Sequence, residues 1–166
     1  DHASALRRSK QAHNSWCNWG LWGAAQDGNA DELAKAHSEG LVAATLAYLG
    51  DDEAGLCISP AQLDRYLSGR ATVGVQLQLD HDAKSNEPPG LRALIEALET
   101  DRPIHLVHLS TAAELNLLDP VRGSLPVTAG CTPHHLFLSK DESPITTSPP
   151  VRTEHDRRTL WTAGYS

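Results

Sequence analysis

The sequence predicts an α/β protein built on a parallel sheet. Short apolar runs alternate with capped amphipathic segments about five times along 166 residues, the order that right-handed strand–helix–strand crossovers generate. No two-residue hairpin turn joins one apolar run to the next, as antiparallel neighbours would require. One run, 41–49 (LVAATLAYL), is apolar throughout, the mark of a strand covered on both faces.

The elements follow in order. Residues 1–14 carry Ala3, Leu6 and Ala12 among polar neighbours and are expected to form a surface helix. Residues 16–25, rich in aromatic and small side chains, are expected to run as a strand into a loop closed by Asp27-Gly28. Asn29 and Glu32 stand at capping-box spacing for a helix over 30–39, with Gly40 as its left-handed C-cap. After the apolar run and an acidic turn, Ser59-Pro60 pairs an N-cap with a proline at the first helical position, and Gly69 closes the helix carrying Leu63 and Leu67. Residues 71–79 alternate, with Val73, Val75, Leu77 and Leu79 on one face and Gly74, Gln76 and Gln78 on the other, so this strand keeps one polar side.

A polar loop over 80–90 leads into the clearest helical periodicity of the chain, Leu91, Leu94, Ile95 and Leu98, which is expected to face the sheet. Residues 104–109 form another strand, and Thr111 and Glu114 cap a helix over 112–118. A short strand over 126–130 follows. Residues 131–150 are expected to be loop with one apolar patch, and 153–163 a last amphipathic helix carrying Leu160 and Trp161.

Composition narrows the function classes. A formal net charge of −7 opposes non-specific attraction to a phosphate backbone, so nucleic acid is not an expected partner. No apolar stretch reaches the roughly 18 residues of a membrane span and no basic-then-apolar leader opens the chain, so a cytoplasmic, non-membrane protein is expected. Cys17, Cys57 and Cys131 are far apart and form no C-x-x-C pair, which points to buried, reduced thiols rather than a disulfide or structural zinc. With no methionine, even at position 1, the chain is expected to be a fragment or a processed piece.

Alternation alone leaves open a doubly wound sheet or a section of a (β/α)₈ barrel, whose full form takes about 250 residues. Neither G-x-G-x-x-G nor G-x-x-x-x-G-K-S/T occurs, so nucleotide binding lacks its physical anchor. Parallel α/β folds keep their chemistry in loops after strand C-termini. Here those loops offer Asp80, His81 and Asp82, then His108 and Ser110, then Thr132, His134 and His135. His105 and His108, three apart, face opposite sides of a regular strand and cannot share one ion. His108 alone is either a satisfied polar residue at a sheet end or a ligand. At most one of His134 and His135 points into a pocket, and Asp80-His81-Asp82 also reads as a solvated turn.

Three ordered segments resemble dihydroorotase: His105-Leu106-Val107-His108-Leu109-Ser110-Thr111; Leu125-Pro126-Val127-Thr128 through Thr132-Pro133-His134-His135-Leu136; and Pro149-Pro150-Val151-Arg152-Thr153-Glu154 with Asp156-Arg157-Arg158. Upstream, Gly20-Leu21-Trp22-Gly23 with Gly28-Asn29 and Glu32-Leu33 is similar to a second βα unit of dihydroorotases and allantoinases. The resemblance implies an incomplete section of an amidohydrolase-superfamily (β/α)₈ TIM-type barrel, a single partial domain over 1–166. It implies a zinc-dependent opening of a cyclic amide, dihydroorotate to N-carbamoyl-aspartate in pyrimidine biosynthesis, with a metal-activated water and an aspartate that accepts and returns the proton.

Carried over residue by residue, the resemblance makes His108 the metal ligand of the V-H-L-S segment and His81 the histidine of an H-A/C-E-D segment, with Asp82 beside it. Strand parity puts Asp80 rather than His81 on the polar face, so that register stays open. The modified-lysine position falls near Thr45. The H-x-H pair would precede Asp1 and the D-H-A-P-H segment would follow Ser166. Ser148 stands where dihydroorotases carry a substrate-binding asparagine before the double proline, and Ser148 and His135 are the substrate-side candidates. Zinc belongs to the parent family and is not expected to be stoichiometric in this chain. The expected partner is a small cyclic amide, with a homo-oligomer or a scaffold contact to another enzyme also open. Allantoinase, favoured by Leu21-Trp22-Gly23 and Ser148, and a catalytically dead dihydroorotase-like scaffold subunit are the alternatives.

Overall fold

The structure is a computed structural model that describes residues 2–49, 58–67, 72–77, 95, 103–143 and 145–164. Five strands form one sheet: β1 (Trp22–Ala24), β2 (Ala44–Leu49), β3 (Thr72–Leu77), β4 (Ile104–Val107) and β5 (Val127–Ala129). All neighbours pair parallel, in the order β1-β2-β3-β4-β5. The parallel arrangement expected for 41–49, 71–79, 104–109 and 126–130 is therefore present, with β2, β4 and β5 shorter than the segments expected for them. A doubly wound sheet reverses its strand order at a switch point. This order never reverses.

The helices bounded by described residues are α1 (His2–Ala12), α2 (Ala30–Ser38), α3 (Pro60–Leu67), α4 (Ala112–Leu118), α5 (Pro133–Phe137) and α6 (Glu154–Ala163). Their apolar sides and one sheet face enclose the core: Ala47 and Leu49 of β2, Ile104 and Leu106 of β4, Leu63 and Leu67 of α3, Leu115 and Leu118 of α4, and Leu160 of α6. Ile95 packs against this cluster, as expected; Leu91, Leu94 and Leu98 lie outside the described residues. The opposite sheet face carries half-buried Leu46, Tyr48, His105 and Val107 and exposed Trp22 and Thr128. Register aligns Gly74 with Leu46 and His105, and Gln76 with Tyr48 and Val107. Among the described residues, no helix is long and apolar enough to cross a membrane.

Several local expectations change. Residues 16–21 are not strand; Trp16 is fully exposed and pairing begins only at Trp22. Asn29 starts α2 without capping it, because its carboxamide is already engaged: Oδ1 accepts from Gln26 N at 2.9 Å and from the Tyr66 hydroxyl at 3.1 Å, and Nδ2 donates to Ala24 O at 3.0 Å. Gly40 does take the left-handed conformation (φ 70°) that ends this helix. Within 131–150 there is a helix, α5, with Thr132 before it and Pro133 at its first turn, the signal that also opens α3. Cys17 is exposed and hydrogen-bonded to Ser15, so it is not a buried thiol; Cys131 is half-buried and burial raises its pKa, and Cys57 lies outside the described residues.

The approach of α2 to the sheet depends on Gly23. A Cβ there would lie 2.4 Å from Leu33 Cδ2 and 3.3 Å from Val42 Cγ1. Gly23→Val is thus expected to destabilise by about 1–3 kcal/mol through overpacking, outweighing a strand-propensity gain that spans about 1 kcal/mol at most. Chemical denaturation of the two proteins checks the sign.

Candidate functional site

Two loops leave adjacent strand ends, and backbone pairing stitches them together: Gly130 N donates to Leu106 O and Leu109 N to Gly130 O, both at 2.9 Å. His108 stands at the head of the first loop. The strand has ended at Val107, and His108 has φ 61°, which makes it the one non-glycine residue with positive φ among those described. An L-residue in that conformation costs roughly 1–2 kcal/mol, and such strain gathers at functional sites. Strand alternation, which would set His105 and His108 on opposite faces, therefore does not govern His108. His105 stays on the strand, where Nδ1 pairs with Thr128 Oγ1 at 2.9 Å and the ring lies over Gly130. The Nδ1 of His108 is buried and has no hydrogen-bond partner.

His135, on α5, is buried. Its Nε2 donates to Pro149 O at 3.1 Å, which leaves Nδ1 to accept from the Thr132 hydroxyl at 2.9 Å. With both ring nitrogens engaged, it has no lone pair for a metal; it joins the β5–α5 turn to the Pro149 segment. Burial holds its pKa below the usual 6.5, with repulsion from His108 adding to the effect and the Pro149 carbonyl opposing it. On acidification the unfolded chain takes up a proton that folded His135 resists, so this contribution is whole above pH 6.5 and falls away below it. His135→Asn, which cannot charge, is expected to show a flatter fall in melting temperature between pH 6.5 and about 5 than the parent.

Glu114 lies under the first loop, 1% exposed. Its Oε2 accepts from the backbone N–H groups of both Ser110 and Thr111 at 2.7 Å, and Thr111 Oγ1 accepts from Glu114 N, completing the capping box expected at 111–114. Burial raises the pKa of this carboxyl, opposed by those donors and by the nearby Arg152 charge. A second capping box, Thr153 with Asp156, opens α6, and the other Asp156 oxygen accepts from Ala112 N at 2.9 Å, tying the starts of α4 and α6 together. Ser110 Oγ, Ser139 Oγ and Arg152 Nε are buried without partners.

The structure brings together His108 and His135 but not every expected site residue. Ser148 is exposed and precedes a cis peptide to Pro149. Thr45 faces the helices, buried, with Oγ1 3.0 Å from His37 Nε2, so strand direction turns it away from the loop ends. Asp80, His81 and Asp82 lie outside the described residues. Among the described residues no group of three His, Cys, Asp or Glu is placed to hold a metal. His108 fits as one ligand, and the described residues do not complete a site around it.

No family profile matches the chain. Over 76 residues it is 41% identical to the dihydroorotase of Pyrococcus furiosus, a stretch covering 43% of this chain and 18% of that enzyme. Over that stretch the chain is similar in sequence to dihydroorotases. The Macrococcus caseolyticus dihydroorotase is 29% identical over 94 residues, 47% of this chain and 22% of that enzyme. The matched stretches thus span about a fifth of these dihydroorotases. In three dimensions the chain resembles a dihydropyrimidinase from Brevibacillus agri (TM-score 0.73, 18% identity, 98% of this chain and 44% of that one) and a D-hydantoinase (TM-score 0.74, 20% identity, 96% and 44%). At that identity the likeness establishes a shared α/β fold.

Glu114 is legible in the sequence as a helix cap and Arg152 as part of a motif, and neither is legible there as a site residue. The capping-box spacing reveals the first role of Glu114. Its additional bond to Ser110 has no pattern in the sequence, because it depends on how the strand ends.

Proposed function

We propose that the chain is part of a dihydroorotase-type, metal-dependent hydrolase of cyclic amides, a section of a (β/α)₈ barrel forming one partial domain over 1–166, with His108 as a metal ligand. The observation that carries this reading is His108 itself, strained at φ 61° at the end of β4, its buried Nδ1 unpartnered, within the V-H-L-S segment shared with dihydroorotases. The unreversed strand order supports the barrel section. A bound zinc ion would lower the pKa of its water and polarise the amide carbonyl.

The chain's own contributions are positional. The β4 loop presents His108, His135 walls the neighbouring loop while neutral, and the exposed Ser148 hydroxyl offers a hydrogen bond to substrate where dihydroorotases carry asparagine. His81 is the proposed second ligand. One or two histidines hold zinc weakly, since catalytic sites use three protein ligands; the 166-residue chain alone is therefore expected to carry no stoichiometric zinc and to show no turnover. Elemental analysis tests this directly. One tightly held zinc per chain, lost in His108→Ala, would show that the ligand set is misassigned. Assays of dihydroorotate and allantoin ring opening on the whole protein decide the substrate, and absence of both would favour the scaffold reading.

A further inference from the structure

A capping box at the start of α4 needs the carboxylate of Glu114 to bond only the N–H of Thr111. Here the same oxygen, Oε2, also takes the N–H of Ser110 at 2.7 Å, one residue beyond the helix cap and two after His108. The side chain that does this is buried and holds both N–H groups through one oxygen. Closer to His108, Gly130 bonds both neighbouring segments: its N–H donates to Leu106 O at the end of β4, and its carbonyl accepts from Leu109 N. A residue at φ 61° relaxes unless both flanks are held. Gly130 holds the residues on either side of His108, and Glu114 fixes the exit of the turn at Ser110, with the Arg152 charge beside it lowering the cost of burying the carboxylate.

We propose that Glu114 is a positioning residue for His108, its bond to Ser110 N–H fixing the strained turn that aims the imidazole. This rests on the reading of His108 as a metal ligand. Outer-shell partners of ligating histidines are worth about 10- to 100-fold in metal affinity, and Glu114 does the same work through the backbone.

The test is a Co²⁺ titration of the whole protein, followed by paramagnetic broadening of the His108 ring signals, with hydrogen exchange of the Ser110 amide read without metal. Glu114→Ala is expected to weaken Co²⁺ binding at His108 about 10- to 100-fold and to unprotect Ser110 N–H, whereas Glu114→Gln, which keeps an acceptor oxygen, recovers most of both. Thr111→Val removes the other half of the capping box and lowers stability, yet should leave Co²⁺ affinity at His108 unchanged. Glu114→Asp keeps the charge and falls short of Ser110, so it replaces the alanine variant if that does not fold. Equal Co²⁺ affinity in Glu114→Ala or Glu114→Asp and the parent overturns the proposal for Glu114 alone. Absence of any His108 broadening in the parent overturns the reading of His108 as a ligand, and the Ser110 exchange data still report whether Glu114 holds the turn.

Discussion

His108→Gly is expected to fold more stably than His108→Ala while both lose more than about 100-fold of ring-opening activity in the whole protein. The two variants lose the same imidazole, so their difference isolates the backbone. Alanine at φ 61° bears the left-handed penalty of roughly 1–2 kcal/mol, and glycine does not. Glycine also loses more freedom on folding, about 0.5–1 kcal/mol, which leaves a net advantage of up to about 1.5 kcal/mol. Equal melting temperatures would mean that the turn relaxes when the ring is removed. Full activity in either variant would remove His108 from the ligand set.

Leu106→Ala is expected to cost about 2–5 kcal/mol, lowering the melting temperature by roughly 4–20 °C. Leu106 is 1% exposed on the helix side of β4 and belongs to the cluster joining strand and helices. Ile145, 46% exposed, is the matched control, and Ile145→Ala should stay within about 0.5 kcal/mol of the parent. Circular dichroism melts of the three proteins give the comparison. A shift no larger for Leu106 than for Ile145 would contradict a core on this face of the sheet.

The strands and their direction were legible because burial writes itself into composition: 41–49 and 104–109 are apolar runs, and capped helices follow or precede them. Strand ends were less so. The apolar run 104–109 continues through Leu109, yet the regular strand stops at Val107 because His108 turns the backbone, and no periodicity announces a positive φ at histidine. Thr111 and Glu114 were readable as a cap, since both partners are local. The bonds of Asn29 to Gln26 and Tyr66 were not, because Tyr66 is far along the chain and the carboxamide chose it over the helix start. His135 shows the same limit: adjacency to His134 says that one ring points inward, and only the fold supplies the Pro149 carbonyl that takes up its second nitrogen.

The unreversed strand order bears on how the chain acquires its structure. Each strand's partner is the next strand in the chain: Trp22 finds Ala44, Ala44 finds Thr72, Val73 finds Ile104, and Ile104 finds Val127. A polypeptide leaving the ribosome from its N-terminus always has the waiting edge at its most recently finished strand, so each loop closes over a comparable, moderate length rather than across the whole molecule. Loop-closure entropy grows slowly at such lengths, and synthesis proceeds N-terminal first. The sheet can therefore widen one strand at a time during synthesis, and β5 is the last of these five strands to be added.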